Sequence, residues 1–464
     1  MNKGLSKKYG LLTAITMVVG IVIGSGIFFK TETILETTGG NVPIGLFAIL
    51  VCGIIMIICA NTFAGMSMKY EKVNGVIDYA EVTCGPAYSY GIGWFMTTIY
   101  YPAMTSVLAW VSARFFSELC GFKDPATGPN TMIIAGLFLV MSYALNALSP
   151  KLAGKFQVGT TFIKLIPLVL MAIIGTIVGI ANGNAAQSIQ SIVNKPAGSS
   201  YPEMFFSALV AMVFAFEGWI IATSINSELK NAKRNLPIAL TVGSFIVVAI
   251  YALYYIGVTG GAKVEDLIAN GSTVAFENIF GAFIGKLLTA FIVISCLGTL
   301  NGLMLGTSRG VFSLASRNLG PAPQFMKEIS PHTGMAQNSA LFGLLVTEFW
   351  LVYFYGANLT SNSWFGVFTF DSSEIPIVTI YALYIPIFIA IIRKEKQFNI
   401  KYRFVLPILA TICSGFMIFA AVYKFRMAVV YYLIIFAVIM AIGFMFYDPK
   451  KAKEISIKEA NSKK

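Results

Sequence analysis

The chain has 464 residues, of which 57% are hydrophobic and only 12% are charged. A soluble globular domain carries about 25% charged residues, and the mean hydropathy here is +0.76. The composition therefore indicates a protein that crosses a membrane many times, and it argues against a soluble enzyme. The six cysteines form no CxxC pair and the single histidine is His332, so we expect no disulfide framework, metal site, cofactor or histidine-based catalytic centre.

Twelve apolar segments are long enough to cross a bilayer, for which about 20 mostly apolar residues are needed. The first follows the basic stretch MNKGLSKKYG. Because no A-x-A cleavage site follows it, we expect this segment to be retained as a membrane helix. The predicted spans are residues 11–36, 43–68, 86–118, 131–148, 156–183, 205–227, 239–261, 284–314, 338–356, 373–392, 403–423 and 427–447.

The distribution of Lys and Arg predicts the orientation of the chain in the membrane. With twelve spans both termini lie on one side, where 24 of the 33 Lys and Arg residues fall, against eight, including Lys30, on the other. This predicts cytoplasmic tails at residues 1–10 and 448–464. The same bias explains the net charge of +12 as membrane topology, so we expect the lipid bilayer and no nucleic acid as a partner.

Two of the predicted spans are interrupted by residues that disfavour a helix. The first contains GIVIGSGIFF at residues 20–29, and the sixth contains FAFEGW at residues 214–219. Interrupted segments at corresponding positions of two halves point to the binding site of a transporter. The two breaks correspond if the repeat has five helices, and an odd number inverts the second copy. We therefore predict a 5+5 inverted repeat, residues 11–183 and 205–392, followed by two helices within 403–447.

Each break would expose backbone groups of one polarity. A helix that restarts near Gly26 presents the N–H groups of residues 25–27, and a helix N-terminus binds anions. A helix that ends near Ala215 presents carbonyl oxygens of residues 214–216, which suit an ammonium group. Together the breaks predict a site for a zwitterionic α-amino acid. Close helix packing is the alternative, since GIVIGSGIFF also contains a small-xxx-small pattern.

Two of the ionisable residues inside predicted spans, Lys164 and Glu217, lie well away from the span ends. A charge at that depth is costly and indicates function. Lys164 could occupy a cation position, contact the interrupted first span, exchange a proton, or extend to the interface. Glu217 could carry a proton, set the charge preference for the substrate, or bond to groups of spans 6 and 7. Phe214, beside the break, is the candidate for a lid over the substrate.

Four motifs resemble the amino acid–polyamine–organocation superfamily, and most closely the bacterial form of its L-amino acid transporter branch. They are GIVIGSGIFF, TTFIKLIP, FAFEGW followed by NSELKNAKRNLP, and GTLNGLMLGTSRGVFSLASRNLGP at residues 298–321. The resemblance covers spans 1–10. It implies a LeuT-like all-α membrane fold with twelve helices, of which helices 1 and 6 are discontinuous. It also implies alternating access and sodium-independent exchange, typically of neutral L-amino acids.

The resemblance further implies roles for single residues. Lys164 matches a fixed positive charge that stands where sodium-coupled relatives hold an ion. The resemblance also implies that Val22 lines the substrate pocket and that Phe214 is a gating aromatic. The substrate carboxylate would bind at Ser25, Gly26 and Ile27, and the α-amino group would bind to the carbonyl of Ala215.

Two positions depart from the pattern of that branch. Glu217 stands where animal members often have glycine, which leaves the side-chain selectivity open, and Asn74 with Gly75 stands where a Gly-Gly pair is common. Animal members are also linked to a heavy chain through an extracellular cysteine. Because the motif around Cys120 does not match that cysteine, we expect no heavy-chain subunit.

The sequence therefore predicts a plasma-membrane exchanger of small or medium neutral L-amino acids such as alanine or serine, in which no bond of the substrate changes. The alternative is a proton-coupled permease for cationic amino acids or polyamines, with Glu217 or Lys164 as the proton site. A channel is disfavoured because no helix carries a row of like polar or charged residues. An enzyme is disfavoured because no nucleophile–base or metal-ligating set is evident.

Overall fold

The computed structural model of this chain describes residues 10–70, 75–184, 186, 188, 199–222 and 229–450. Every regular element in these ranges is a helix, so the expectation of an all-α protein is confirmed for them. Some predicted features lie outside the described residues, namely most of both tails (1–9 and 451–464), Asn74 and the end of the sixth span (223–227).

The helices follow one another closely along the chain. They are α1 (Leu11–Val22), α2 (Gly26–Thr37), α3 (Val42–Lys69), α4 (Val76–Cys84), α5 (Pro86–Phe95), α6 (Tyr101–Leu119), α7 (Pro129–Leu148), α8 (Pro150–Ile163), α9 (Leu165–Leu170), α10 (Thr176–Ala181), α11 (Tyr201–Phe216), α12 (Trp219–Ala222), α13 (Ala232–Gly261), α14 (Val264–Asn270), α15 (Thr273–Phe280), α16 (Ala282–Ser316), α17 (Pro323–Met326), α18 (Gln337–Phe354), α19 (Ile375–Lys394), α20 (Leu406–Phe425) and α21 (Met427–Met445). Single π-helical turns at Met96–Tyr100, Met171–Gly175, Tyr355–Leu359 and Lys401–Val405 continue or join these helices.

Nine helical segments in the described residues are long and apolar enough to cross a membrane. They correspond to the predicted spans 2, 4, 5 and 7–12. The first and sixth predicted spans are each divided into shorter helices, α1 with α2 and α11 with α12. The third contains α5, a π-helical turn and α6. The protein is therefore a multi-pass membrane protein, and the count of twelve spans stays a prediction.

Several boundaries differ from those expected from hydropathy. The fifth membrane segment begins at Pro150 rather than at residue 156, because a proline is well tolerated in the first turn of a helix. The polar stretch after α3 contains α4, and the stretch after α13 contains the short helices α14 and α15. Hydropathy does not reveal such helices, since none of them is long enough to span a bilayer.

The chain divides into two compact units. The first comprises the described parts of residues 1–76, 161–295 and 377–424. Its core is built on α13, where glycines allow neighbouring helices to come close. A Cβ on Gly243 would lie 2.8 Å from Val18 of α1, and one on Gly53 of α3 would lie 2.4 Å from Val248 of α13. All of the predicted substrate-site residues lie in this first unit.

Helix α13 also packs backbone to backbone against the segment that ends in α10. A Cβ on Gly179 would lie 2.7 Å from the Cα of Gly260, and one on Gly257 would lie 2.2 Å from the carbonyl oxygen of Met171. Small residues at a helix–helix contact let backbones approach closely in a membrane. We call this contact the glycine seam (Gly175, Gly179, Gly257 and Gly260).

The second unit comprises the described parts of residues 77–160, 296–376 and 425–464. Buried polar contacts join its helices. The Asn146 side chain donates to Oδ1 of Asn301 at 2.8 Å, and the Trp350 indole donates to the carbonyl of Thr98 at 2.9 Å. Arg317 pairs with Asp78 at 2.8 Å. Such interhelical hydrogen bonds contribute to helix association where lipid gives little hydrophobic drive.

Candidate functional site

The first break lies between α1 and α2. Helix α1 ends at Val22, Ile23 is extended with ψ of 101°, and α2 begins at Gly26 with Ser25 as its first flanking residue. A helix end leaves its last carbonyl groups without intrahelical partners, and a helix start does the same for its first N–H groups. The break therefore places acceptors and donors within a few residues of each other in the buried interior of the first unit.

The carbonyl groups at the end of α1 have partners from elsewhere in the unit. The Lys164 ammonium, with only 4% of the residue exposed, donates to the carbonyl of Gly20. The Tyr251 hydroxyl donates to the carbonyl of Val22 at 3.2 Å. Because these side chains supply the donors that the ended helix lacks, they stabilise the interrupted conformation of the chain.

The start of α2 presents donors. Ser25, Gly26 and Ile27 are completely or almost completely buried, and the N–H groups of a first helical turn have no intrahelical acceptor. The Ser25 hydroxyl oxygen is buried and makes no hydrogen bond to any described residue. The helix is 12 residues long, so its dipole adds positive potential at this end. These are the properties of an anion-binding helix N-terminus.

The second break lies between α11 and α12. Helix α11 ends at Phe216, and Glu217 is extended with ψ of 161°. Gly218 follows with a φ of +105°, which a residue with a Cβ adopts only with strain. The N–H of Glu217 reaches back to the carbonyl of Phe214 at 3.4 Å. The chain thus leaves the helix at a position where backbone carbonyls lose their regular partners.

The two breaks are in direct contact. A Cβ on Gly26 would lie 2.7 Å from the Cα of Ala215 and 3.2 Å from Cδ1 of Phe214, so only glycine lets α2 approach α11 this closely. The Tyr251 hydroxyl reaches both breaks, since it lies 3.0 Å from the Ala215 carbonyl and 3.2 Å from the Val22 carbonyl. The start of α2 and the end of α11 therefore border one buried region.

Tyr251 was not found from the sequence. It lies in the uninterrupted apolar helix α13, near Tyr254 and Tyr255. All three residues are completely buried, and nothing in the sequence separates the one that reaches the breaks from its neighbours. A phenol in an apolar helix is a weak signal, because a tyrosine can equally pack in a core.

The aromatic lid candidate is packed against α2. Phe214 is 4% exposed, and its ring meets that of Phe29 edge to face, with centroids 5.3 Å apart. The ammonium of Lys30 lies 5.7 Å from the centroid of Phe214. By its place in the sequence Lys30 is one of the flanking charges that set topology, but the residue is only 2% exposed. Its side chain belongs to the interior of the first unit.

Glu217 faces a different part of the unit. It is 5% exposed, and Trp219, two residues further on, packs against Phe63 of α3 and Tyr384 of α19 with ring centroids 5.9 Å apart in both pairs. The neighbours of this segment thus include α3 and α19, beside the break in the sixth predicted span. In the described residues, no group of three His, Cys, Asp or Glu side chains is arranged to hold a metal ion.

These features define an all-helical membrane protein in which the start of α2 and the end of α11 bring backbone donors and backbone acceptors together in a buried interior. Residues 9–445 match the amino acid permease family. The chain belongs to this family, within the amino acid–polyamine–organocation superfamily and its L-amino acid transporter branch, as the motifs indicated.

Several characterised transporters are similar to the chain. It is 30% identical over 429 residues to the serine/threonine exchanger SteT of Bacillus subtilis (strain 168), covering 90% of this chain and 91% of that protein. It is 26% identical to the human b(0,+)-type amino acid transporter 1, covering 90% and 83%, and 25% identical to the human cystine/glutamate transporter, covering 70% and 64%. The protein is therefore an amino acid transporter and not an enzyme.

Proposed function

We propose that the protein is a sodium-independent exchanger of small or medium neutral L-amino acids, such as alanine and serine, that works by alternating access in the plasma membrane. The observation that carries the proposal is the buried start of α2, where the Ser25 hydroxyl makes no hydrogen bond to any described residue. Buried polar groups are normally satisfied. A substrate carboxylate that accepts from Ser25 and from the first N–H groups of α2 would satisfy them.

The other end of the substrate would meet the end of α11. The Ala215 carbonyl accepts from the Tyr251 hydroxyl at 3.0 Å, and a carbonyl oxygen has a second lone pair that an ammonium can use. Gly26 keeps the two ends close, since the space for its Cβ is taken by Ala215. In this proposal Ile27 belongs with Ser25 and Gly26 to the carboxylate-binding turn, Val22 lines the pocket and Phe214 covers it. Together these groups recognise the α-carboxylate and the α-ammonium group, which all α-amino acids share.

The proposal gives Lys164 the role of a permanent cation. Its ammonium donates to the Gly20 carbonyl at the end of α1, and in sodium-coupled transporters the carbonyl ends of broken helices coordinate the sodium ion. A covalently attached ammonium cannot be carried across the membrane, so transport would not require sodium. The full proposal includes twelve spans in a 5+5 inverted repeat with two discontinuous helices, cytoplasmic termini and no heavy-chain subunit.

Exchange is tested with the purified protein in liposomes. Liposomes loaded with alanine or serine should take up labelled alanine or serine, with equal rates when external sodium is replaced by choline. Empty liposomes should take up almost none, and a panel of external amino acids should compete according to side-chain size and charge. Rapid uptake into empty liposomes, or uptake that depends on sodium, would contradict the exchanger proposal.

A proton-coupled permease for cationic amino acids is the second candidate, and the burial of Glu217 in the second break favours it. A carboxylate at that depth can hold a proton or pair with a cationic side chain. In the same liposomes, an imposed pH gradient distinguishes the two candidates. Accumulation of labelled arginine or lysine in empty liposomes driven by the gradient would support the permease, whereas an exchanger ignores the gradient.

A further inference from the structure

Lys30 is a buried cation within a helix that borders the proposed substrate site. It lies one turn after Gly26 on α2 and is 2% exposed. Burial of a charge at membrane depth is costly, so such residues are retained for function. A lysine that only set topology would reach the aqueous interface with its flexible side chain. Lys30 does not, because its side chain is among the largest fully buried ones of the described residues.

The ammonium of Lys30 contacts two aromatic rings from two different helices. It lies 5.1 Å from the ring centroid of Phe29 on α2 and 5.7 Å from that of Phe214 on α11. The two rings also meet each other edge to face, with 5.3 Å between centroids. Both ammonium distances fall within the about 6 Å over which a cation is attracted to a ring. We call Lys30, Phe29 and Phe214 the lid cluster.

The lid cluster adjoins the proposed carboxylate site. Cδ1 of Phe214 lies 3.2 Å from the position of a Cβ on Gly26, so the ring that Lys30 contacts also borders the start of α2. Side chains on a helix lean towards its N-terminus, which directs Lys30 towards the turn that begins at Gly26. A movement of Phe214 away from this turn would break its contacts with Lys30 and Phe29 together.

We propose that Lys30 is a positioning residue that holds Phe214 closed over the bound amino acid, and that it thereby sets how readily substrate leaves towards one face of the membrane. The inference rests on the proposed function for the identity of the substrate, but the lid contact itself does not depend on which amino acid is carried. Loss of the ammonium would weaken the closed lid on its own side of the site. The path on the opposite side would be unaffected.

Three variants test the role. Lys30→Met keeps the length and apolar volume of the side chain and removes its charge, Lys30→Arg keeps the charge, and Lys263→Met is the matched control, since Lys263 is an exposed lysine in the same unit. Exchange is measured from each face separately, in liposomes with the protein in one orientation. We expect Lys30→Met to raise KM about 10-fold at one face only, which corresponds to about 1.4 kcal/mol and lies within the range of a desolvated cation–π contact.

Lys30→Arg should stay within about threefold of the wild-type KM, and Lys263→Met should match the wild type. An unchanged KM at both faces in Lys30→Met, an equal change at both faces, or failure of Lys30→Arg to retain the wild-type KM would overturn the proposal. If the wild type carries other amino acids than alanine and serine, the same comparison is made with the preferred one. In that case the proposed substrate is wrong, and the comparison of KM at the two faces still tests whether Lys30 holds the lid.

A second readout requires no transport. A thiol placed in the site by Ser25→Cys reports lid opening through its rate of reaction with a charged thiol reagent, followed by mass spectrometry of the labelled peptide. Adding Lys30→Met should increase that rate about 10-fold, whereas adding Lys263→Met should leave it unchanged. Equal rates in the two double variants would show that Lys30 does not hold the lid.

Discussion

Tyr251→Phe removes a hydroxyl that hydrogen-bonds to both helix breaks. The hydroxyl lies 3.2 Å from the Val22 carbonyl and 3.0 Å from the Ala215 carbonyl, and because it has a single proton it donates fully to one of them at a time. The substitution therefore costs one hydrogen bond and leaves a buried carbonyl without that donor, at about 1–3 kcal/mol. Interhelical hydrogen bonds in membranes contribute about 0.6 to 2 kcal/mol, which overlaps the lower part of this range.

We expect this loss of interaction energy to lower the transport activity measurably while the protein still folds. About 1.4 kcal/mol taken from the arrangement that binds substrate lowers kcat/KM about 10-fold, which initial rates of exchange in liposomes measure. Tyr255→Phe is the matched control, because Tyr255 is also fully buried on α13 and its hydroxyl makes no hydrogen bond to any described residue. If both variants lost activity equally, or if Tyr251→Phe kept wild-type kinetics, the bridging role of Tyr251 would be refuted.

Three further substitutions test the site through the same exchange assay. Lys164→Met should reduce the exchange rate more than 10-fold, because the carbonyl at the end of α1 loses a charged donor. Lys155→Met, at an exposed lysine, should leave the exchange rate unchanged. Equal rates in the two variants would indicate that Lys164 has no role in transport. Gly26→Ala should abolish exchange because its Cβ would lie 2.7 Å from the backbone of α11, while Gly415→Ala, where the Cβ has open space, should transport normally. Ser25→Ala should raise KM about 5- to 10-fold by removing one donor to the carboxylate, and an unchanged KM would remove Ser25 from the site.

The sequence predicted long uninterrupted helices well and the contacts between helices poorly. The second span was expected at residues 43–68 and is found at Val42–Lys69, because hydropathy over 20 residues responds directly to the thickness of the bilayer. The glycine-rich first break was visible because glycine disfavours a helix at any depth.

The missing information concerned which face of a helix meets which neighbour. Tyr251 and Lys30 were overlooked because their contacts are with residues far away in the chain or on a particular face of α2, and a pattern along the sequence does not specify either. The role of Gly26 in binding a carboxylate through the backbone stays a prediction, and the structure adds that the position of a Cβ on Gly26 is occupied by Ala215. The first effect of the glycine is therefore to let two helices touch, which the sequence could not distinguish from an open approach to the backbone.

The glycine seam has a mechanical consequence. Where two helices meet through long side chains, rotamer changes let them slide or separate a little without breaking contact. Between α10 and α13 there are no such side chains at Gly179 and Gly260, where the backbones themselves are in contact, so the pair has little compliance. In a rocking motion these two helices would therefore move together as one rigid body. A methyl group added at the glycine seam would force the two backbones apart and change the angle between the helices.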